Sequence, residues 1–245
     1  MRATSSTISG EPSPGSPSDA AGTPRRTLAL VLWLVLAALQ ITVAFVAQIG
    51  GTDAGGGGEE PLFSWALGAG SLVIYGILVV LTASVARLDP SPWKAVGLRG
   101  FAPRALWLVA GVVVASLIVS AVLEPLLHAG REQGLEPERW DPDKAAPFLF
   151  NALVIVTVVP FTEELFYRGL GVHVFRPLGA GVAIVATALA FGLAHGILVA
   201  LPALGFFGLL LAWLRLRTDS VWPCVIAHGA YNGLGILAFF VTSTS

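Results

Sequence analysis

Residues 146–169 read APFLFNALVIVTVVPFTEELFYRG, an apolar run that ends in a charged motif. A transmembrane helix needs about 20 largely apolar residues, which this run supplies. Two glutamates, Glu163 and Glu164, stand at its end, and Arg168 follows four residues later. A charged side chain at the centre of a membrane helix costs roughly 2.5–3.5 kcal/mol on insertion scales, and less near the interface. The stretch therefore predicts a membrane span whose charged end has a functional role.

The composition of the whole chain fits the same class. The 245 residues are 55% hydrophobic and only 12% charged, with a mean hydropathy of +0.79, which is outside the range of soluble domains. The net charge is -1 and the basic residues are scattered, so we expect no nucleic-acid partner. The single cysteine, Cys224, excludes an intramolecular disulfide.

Apolar runs of about span length recur along the chain and predict an all-α, polytopic transmembrane bundle of about seven spans in a lipid bilayer. The runs are 28–49, 62–86, 105–128, 146–166, 178–199, 202–216 and 221–242. The sixth is the short one. The first is too long for a signal-peptide core and lacks a cleavage site, so we interpret it as a retained anchor.

The predicted organisation has three parts. Residues 1–26, rich in Ser, Pro, Gly and Thr, are expected to form a disordered cytoplasmic tail. Residues 27–145 are expected to form N-terminal transmembrane helices and loops, and 146–245 a C-terminal transmembrane core. Basic residues collect in alternate loops, and the loop at 53–60 is acidic. The positive-inside rule then predicts a cytoplasmic amino terminus and an external carboxyl terminus, in a bacterial-type plasma membrane.

Three of the predicted spans carry polar groups in apolar surroundings. Glu164 and Arg168 are four residues apart, so they share a helix face and can pair, whereas Glu163 is turned by about 100° and can face a cavity. A solvated helix end at the membrane interface is the alternative interpretation of this pair. The fifth run contains His195, and the seventh contains His228 and Asn232, which are also four residues apart.

Polar groups inside a bilayer must contact one another or line water, so we expect these residues to form one site. Carboxylates and imidazoles suit the activation of water, and a histidine with an amide suits an oxyanion. The same groups also suit a divalent metal such as zinc, with Glu163, His195 and His228 as candidate ligands. The sequence leaves both possibilities open. It contains neither an H-E-x-x-H nor a G-x-S-x-G motif.

The order of these motifs resembles the CPBP family, also called the CAAX protease and bacteriocin-processing (Abi) family. Its pattern of E-E-x-x-x-R, F-x-x-x-H and H-x-x-x-N is matched without departure over about the last hundred residues. The matching residues are Glu163, Glu164 and Arg168, then Phe191 and His195, then His228 and Asn232. The segment Val96-Gly-Leu-Arg99 is also similar to the family.

The resemblance implies an intramembrane endopeptidase related to the CAAX prenyl proteases, which acts on a peptide or membrane-protein substrate. It implies that Glu163 and His195 position and deprotonate the attacking water, and that His228 and Asn232 stabilise the oxyanion. Glu164 and Arg168 would form a supporting pair, with Phe191 packed beside the site. The competing hypotheses are a non-proteolytic scaffold or bacteriocin-immunity protein of the same family, and a small transporter that uses the same residues as an ion path.

Overall fold

The computed structural model describes residues 17–51, 61–128 and 140–244, and its regular elements in these ranges are all helical. The α-helices are α1 (Pro17–Gly51), α2 (Trp65–Ala86), α3 (Pro92–Ala95), α4 (Ala105–Leu127), α5 (Ala145–Leu153), α6 (Val159–Glu164), α7 (Val172–Phe175), α8 (Ala180–Leu193), α9 (Leu201–Thr218) and α10 (Trp222–Thr244). Short 3-10 turns lie at Pro61–Phe63, Pro142–Lys144, Arg176–Leu178 and Leu198–Ala200. The predicted all-helical polytopic class is confirmed.

Six helical stretches in the described ranges are long and apolar enough to cross a membrane. The seventh apolar helix, α8, has only 14 residues, which is about 21 Å at 1.5 Å per residue, against roughly 30 Å of bilayer hydrocarbon. The expectation about which span is short was therefore wrong. The short helix is the fifth, predicted at 178–199, whereas α9, predicted at 202–216, has 18 residues.

Helix α8 is short because the chain turns sharply after it. Gly196 has a φ of +73°, and a Cβ atom there would lie 2.7 Å from the carbonyl oxygen of Ala44 on α1. This left-handed conformation and the close approach of α1 favour glycine. His195 therefore lies in the turn after α8 and not inside an apolar helix, as the sequence pattern had suggested.

Helices α5, α6 and α7 form one continuous stretch, Pro142–Leu178, which we call the motif helix. Glu163 and Glu164 lie in its interior, so they do not stand at the end of a helix. Two π-type turns, Val154–Val158 and Leu165–Gly171, join its three α-helical parts. Turns of this kind are rare and occur often at functional sites.

Each π-type turn presents a backbone carbonyl to a side chain of another helix. The indole nitrogen of Trp33 on α1 donates to the Phe166 oxygen at 3.0 Å, and the Asn232 side chain on α10 donates to the Ile155 oxygen at 3.0 Å. Trp33 is 1% exposed and stacks on the Phe166 ring. The first and last helices are thus both fixed to the motif helix.

Some predicted segments lie partly or wholly outside the described ranges. Helix α1 begins at Pro17, so residues 17–26 are helical and not part of a disordered tail. Residues 1–16 lie outside the described ranges. The acidic loop at 53–60 also lies outside them.

The approach of α10 to the first π-type turn generates a stability prediction. A Cβ atom at Gly229 would lie 2.7 Å from the Val156 carbonyl oxygen, whereas one at Gly233 would meet Val156 methyl groups at 3.8 Å. We expect Gly229→Ala to lower the free energy of unfolding by about 1–3 kcal/mol because the backbones must separate. The matched control, Gly233→Ala, should be neutral or slightly stabilising. Thermal melting of the two detergent-solubilised variants is the measurement, and equal effects would contradict this packing.

Candidate active site

A buried chain of charged and polar groups crosses the centre of the bundle. Arg168 donates to Oε1 of Glu164 at 2.9 Å, and Nδ1 of His228 lies 2.9 Å from the same oxygen. The side chains of Glu164 and Arg168 are both 0% exposed. Arg168 also donates to the Gly208 carbonyl on α9 at 3.1 Å. The Glu164–Arg168 contact expected from the spacing is therefore present and fully buried.

Glu163 points away from this pair and meets two other helices. The hydroxyl of Tyr75 on α2 donates to Oε1 of Glu163 at 2.9 Å. The second carboxylate oxygen, Oε2, lies 4.0 Å from Nε2 of His228. It is buried and has no hydrogen-bond partner among the described residues. Glu164 thus pairs with both Arg168 and His228, while Glu163 turns its Oε2 towards His228. The Oε2 atom of Glu164 is also buried without a hydrogen-bond partner among the described residues.

The imidazole of His228 is held on all sides. Glu164 is already the acceptor for Arg168, so Nδ1 of His228 is the donor in their contact, and Nε2 is left facing Glu163. The ring packs edge-on against Phe191 and Phe207, with centroid distances of 5.6 and 5.4 Å. Its orientation is therefore fixed both by a charged partner and by two aromatic walls.

His195 reaches the same aromatic wall from the turn after α8. Its ring packs edge-on against Phe191 at a centroid distance of 4.9 Å, and its Nδ1 lies 2.9 Å from the Phe191 carbonyl oxygen. A carbonyl can only accept, so Nδ1 carries the proton and Nε2 is the acceptor of the neutral ring. Phe191, predicted as a packing residue, contacts both imidazoles and also lies 4.3 Å below the Arg168 guanidinium.

Asn232 lies one helical turn after His228 but has a different partner. One of its amide hydrogens is donated to the Ile155 carbonyl, and the residue is partly exposed. Within the described residues, no hydrogen bond joins it to the glutamates or to His228. Of the predicted residues, the structure thus brings Glu163, Glu164, Arg168 and His228 into direct contact, with His195 joined through Phe191 and Asn232 at the margin.

The motif analysis missed Tyr75. This tyrosine stands in the otherwise apolar run SLVIYGILVV of α2, and an isolated phenol in a membrane span is a signal that it has a polar partner. The partner, Glu163, is 88 residues away, so the sequence could indicate the need for a contact but not its identity.

We tested the arrangement for a metal centre. Among the described residues, no group of three or more His, Cys, Asp or Glu side chains is placed to hold a metal ion. Glu163 and His228 provide two neighbouring donors, 4.0 Å apart. The third candidate, His195, has its Nδ1 on a backbone carbonyl and its Nε2 free, but it is not grouped with them among the described residues. The candidate ligands Glu163, His195 and His228 therefore do not fit a preformed three-ligand site, and we derive no step through a metal.

Comparison with known families places the site in context. Residues 145–234 match the family model for Rce1-like proteins, described as type II CAAX prenyl endopeptidases. Residues 145–234 are a CPBP-family segment. The match runs from the start of α5 to just past Asn232 and contains all three motifs. It confirms the family resemblance that these motifs indicated. No curated protein matches the chain, and no solved structure matches it.

The two adjacent glutamates should differ in their effect on stability. Glu164→Gln leaves the buried Arg168 guanidinium with a neutral partner, so we expect a loss of about 1–3 kcal/mol in the free energy of unfolding. Glu163→Gln can still accept the Tyr75 hydrogen bond, so its loss should stay below about 1 kcal/mol. Melting of the purified proteins in detergent measures both. Equal losses would show that the two carboxylates carry equivalent structural roles, contrary to the geometry.

Proposed function

We propose that this protein is an intramembrane endopeptidase that hydrolyses a peptide bond with water activated at Glu163. The family match of residues 145–234 supports a CAAX-protease type of activity. The observation that carries the proposal is the buried, unpartnered Oε2 of Glu163, 4.0 Å from Nε2 of His228. A water molecule hydrogen-bonded to both atoms would be held beside a proton acceptor in a low-dielectric site.

In this proposal His228 donates from Nε2 as well as from Nδ1. Two carboxylates, Glu163 and Glu164, share the site with the single guanidinium of Arg168. An imidazolium at His228 makes the four groups neutral together, which avoids an uncompensated buried charge. Nε2 of His228 is then a donor, and it can stabilise the negative oxygen that develops on the substrate carbonyl.

The proposed reaction starts when Glu163 takes a proton from the bound water. The water oxygen forms a bond to the carbonyl carbon of the substrate, and the negative charge moves onto the carbonyl oxygen. Glu163 then passes its proton to the nitrogen of the leaving amine as the carbon–nitrogen bond breaks. Tyr75 holds Oε1 of Glu163 throughout and so directs Oε2 towards the water.

His195 and Asn232 are assigned supporting contacts in this proposal. Nε2 of His195 can accept a hydrogen bond from the second hydrogen of the water, since Nδ1 is hydrogen-bonded to the Phe191 carbonyl. Asn232 has one amide hydrogen beyond the one donated to Ile155, and that hydrogen is its available donor for the oxyanion. The proposed substrate is a peptide or a membrane protein.

A second candidate function is a non-proteolytic scaffold or immunity protein of the same family. The observation that favours it is the complete burial of the Arg168–Glu164–His228 chain, which binds the motif helix to α9 and α10 by contacts that need no substrate. This candidate accounts for Glu164 but gives the free oxygen of Glu163 no role.

Substitution of Glu163 separates the two candidates. Glu163→Gln preserves size and most hydrogen bonding but removes the proton acceptor, so the cleavage rate should fall at least ~100-fold. A substrate is first identified by comparing membrane peptides from cells that carry the wild type or Glu163→Ala, and its cleavage is then measured with purified protein.

The matched control for this experiment is Tyr231→Phe. Tyr231 shares a hydrogen bond with Ser120 and lies on α10 outside the proposed proton path, so its loss should leave the cleavage rate within about threefold of wild type. Wild-type activity in Glu163→Gln would eliminate Glu163 as the base. The scaffold candidate predicts that no peptide depends on Glu163 at all.

A further inference from the structure

A cavity of about 590 Å³ lies at one end of the bundle, away from the glutamates. It is bordered by residues 25–29 of α1, by the end of α2 with the loop that follows it, and by the end of the motif helix. Its volume is in the range of about 300–1,000 Å³ that is typical of ligand sites. Its lining includes none of the residues of the candidate active site.

The polar side of this cavity is basic. It is lined by Arg25, Arg26, Asp89, His173 and Arg176. Asp89 is the only carboxylate among them, and it lies 3.2 Å from the His173 imidazole. The remaining three side chains are guanidiniums, which leaves an excess of positive charge at the cavity wall.

The three arginines differ in the partners that they already have. Arg176 is 61% exposed and lies 3.8 Å from Asp219, which itself also contacts two other arginines. Arg25 and Arg26 are exposed, and the ion pairs of the described residues give neither of them an acidic partner. Their guanidinium groups are thus available to an anion.

The opposite side of the cavity is apolar. It is formed by small and branched side chains, among them Ala29, Val85, Val96, Leu170 and Val174. Two large apolar residues that adjoin lining residues in the sequence, Leu28 and Leu178, are 47% and 58% exposed. A ligand that fills the cavity therefore meets positive charge at one end and hydrocarbon surface at the other.

We propose that this cavity binds the headgroup of an anionic phospholipid, a role separate from peptide hydrolysis. The phosphodiester would lie between the arginines of α1 and Arg176, since guanidinium groups match phosphate oxygens in charge and in their forked geometry. The first methylenes of the acyl chains would cover the apolar wall. Basic pockets between transmembrane helices at the positively charged end of a protein suit such headgroups.

The lipid would join two parts of the bundle. Helix α1 is anchored to the motif helix at Trp33, two turns beyond Arg26, while its residues 24–28 are exposed. A headgroup bound by Arg25, Arg26 and Arg176 bridges this part of α1 to the end of the motif helix. Because such a ligand binds the folded state only, it raises the temperature of unfolding.

The test is thermal melting of the full chain in detergent with added lipid. Phosphatidylglycerol should raise the melting temperature of the wild type by about 5 °C or more, whereas phosphatidylcholine and inorganic phosphate should each give less than a third of that rise. The double variant Arg25→Gln/Arg26→Gln should lose most of the response to phosphatidylglycerol. Its melting temperature without lipid should stay near that of the wild type, because neither arginine has an acidic partner in the described structure.

The matched control is Arg104→Gln/Arg217→Gln. This variant removes the same charge from two exposed arginines at the same end of the bundle, neither of which lines the cavity. It should keep the full response to phosphatidylglycerol. An equal loss in both double variants would overturn the proposal in favour of general surface charge. An equal rise with phosphatidylcholine, or with phosphate alone, would overturn the assignment of an anionic lipid.

Discussion

The guanidinium of Arg168 has no contact with solvent, and its charge must be balanced inside an apolar bundle. Glu164 supplies the counter-charge, the Gly208 carbonyl accepts a second hydrogen bond, and the Phe191 ring lies beneath the guanidinium plane. Because Glu164 is held in this way, it can fix His228 in turn. The direction in which His228 faces Glu163 therefore follows from the requirement to pair one buried arginine.

The backbone is shaped to allow this pairing. A Cβ atom at Gly208 would lie 3.0 Å from Ala188, so glycine is what lets α9 come close to α8 while its carbonyl contacts Arg168. The π-type turns on either side of the glutamates give their freed carbonyls to Trp33 and Asn232. Irregular backbone at membrane depth is tolerated where it is buried in protein and its polar groups are satisfied. Here these groups are satisfied by side chains from the first and last helices.

The sequence predicted those features that depend on composition and on local spacing. Apolar runs indicated the membrane class, and the four-residue spacing indicated the Glu164–Arg168 pair. In the sequence, Glu163 and Glu164 stand where an apolar run ends. In the structure they lie inside a longer helix, where they contact Tyr75 and His228. The predicted run 178–199 was also longer than the observed α8. The turn that ends this helix depends on the left-handed conformation of Gly196 and on the close approach of α1, which no local pattern encodes.

We propose that Glu164 acts on the reaction through His228 and Glu163, as one unit. A double-mutant cycle on the cleavage rate, with Glu163→Gln, Glu164→Gln and the double variant, tests it most directly. We expect the double variant to be no slower than Glu163→Gln alone, within about threefold, because the network has no function once its proton acceptor is lost. Multiplicative losses in the double variant would contradict this proposal, since they would mean that the two glutamates act independently.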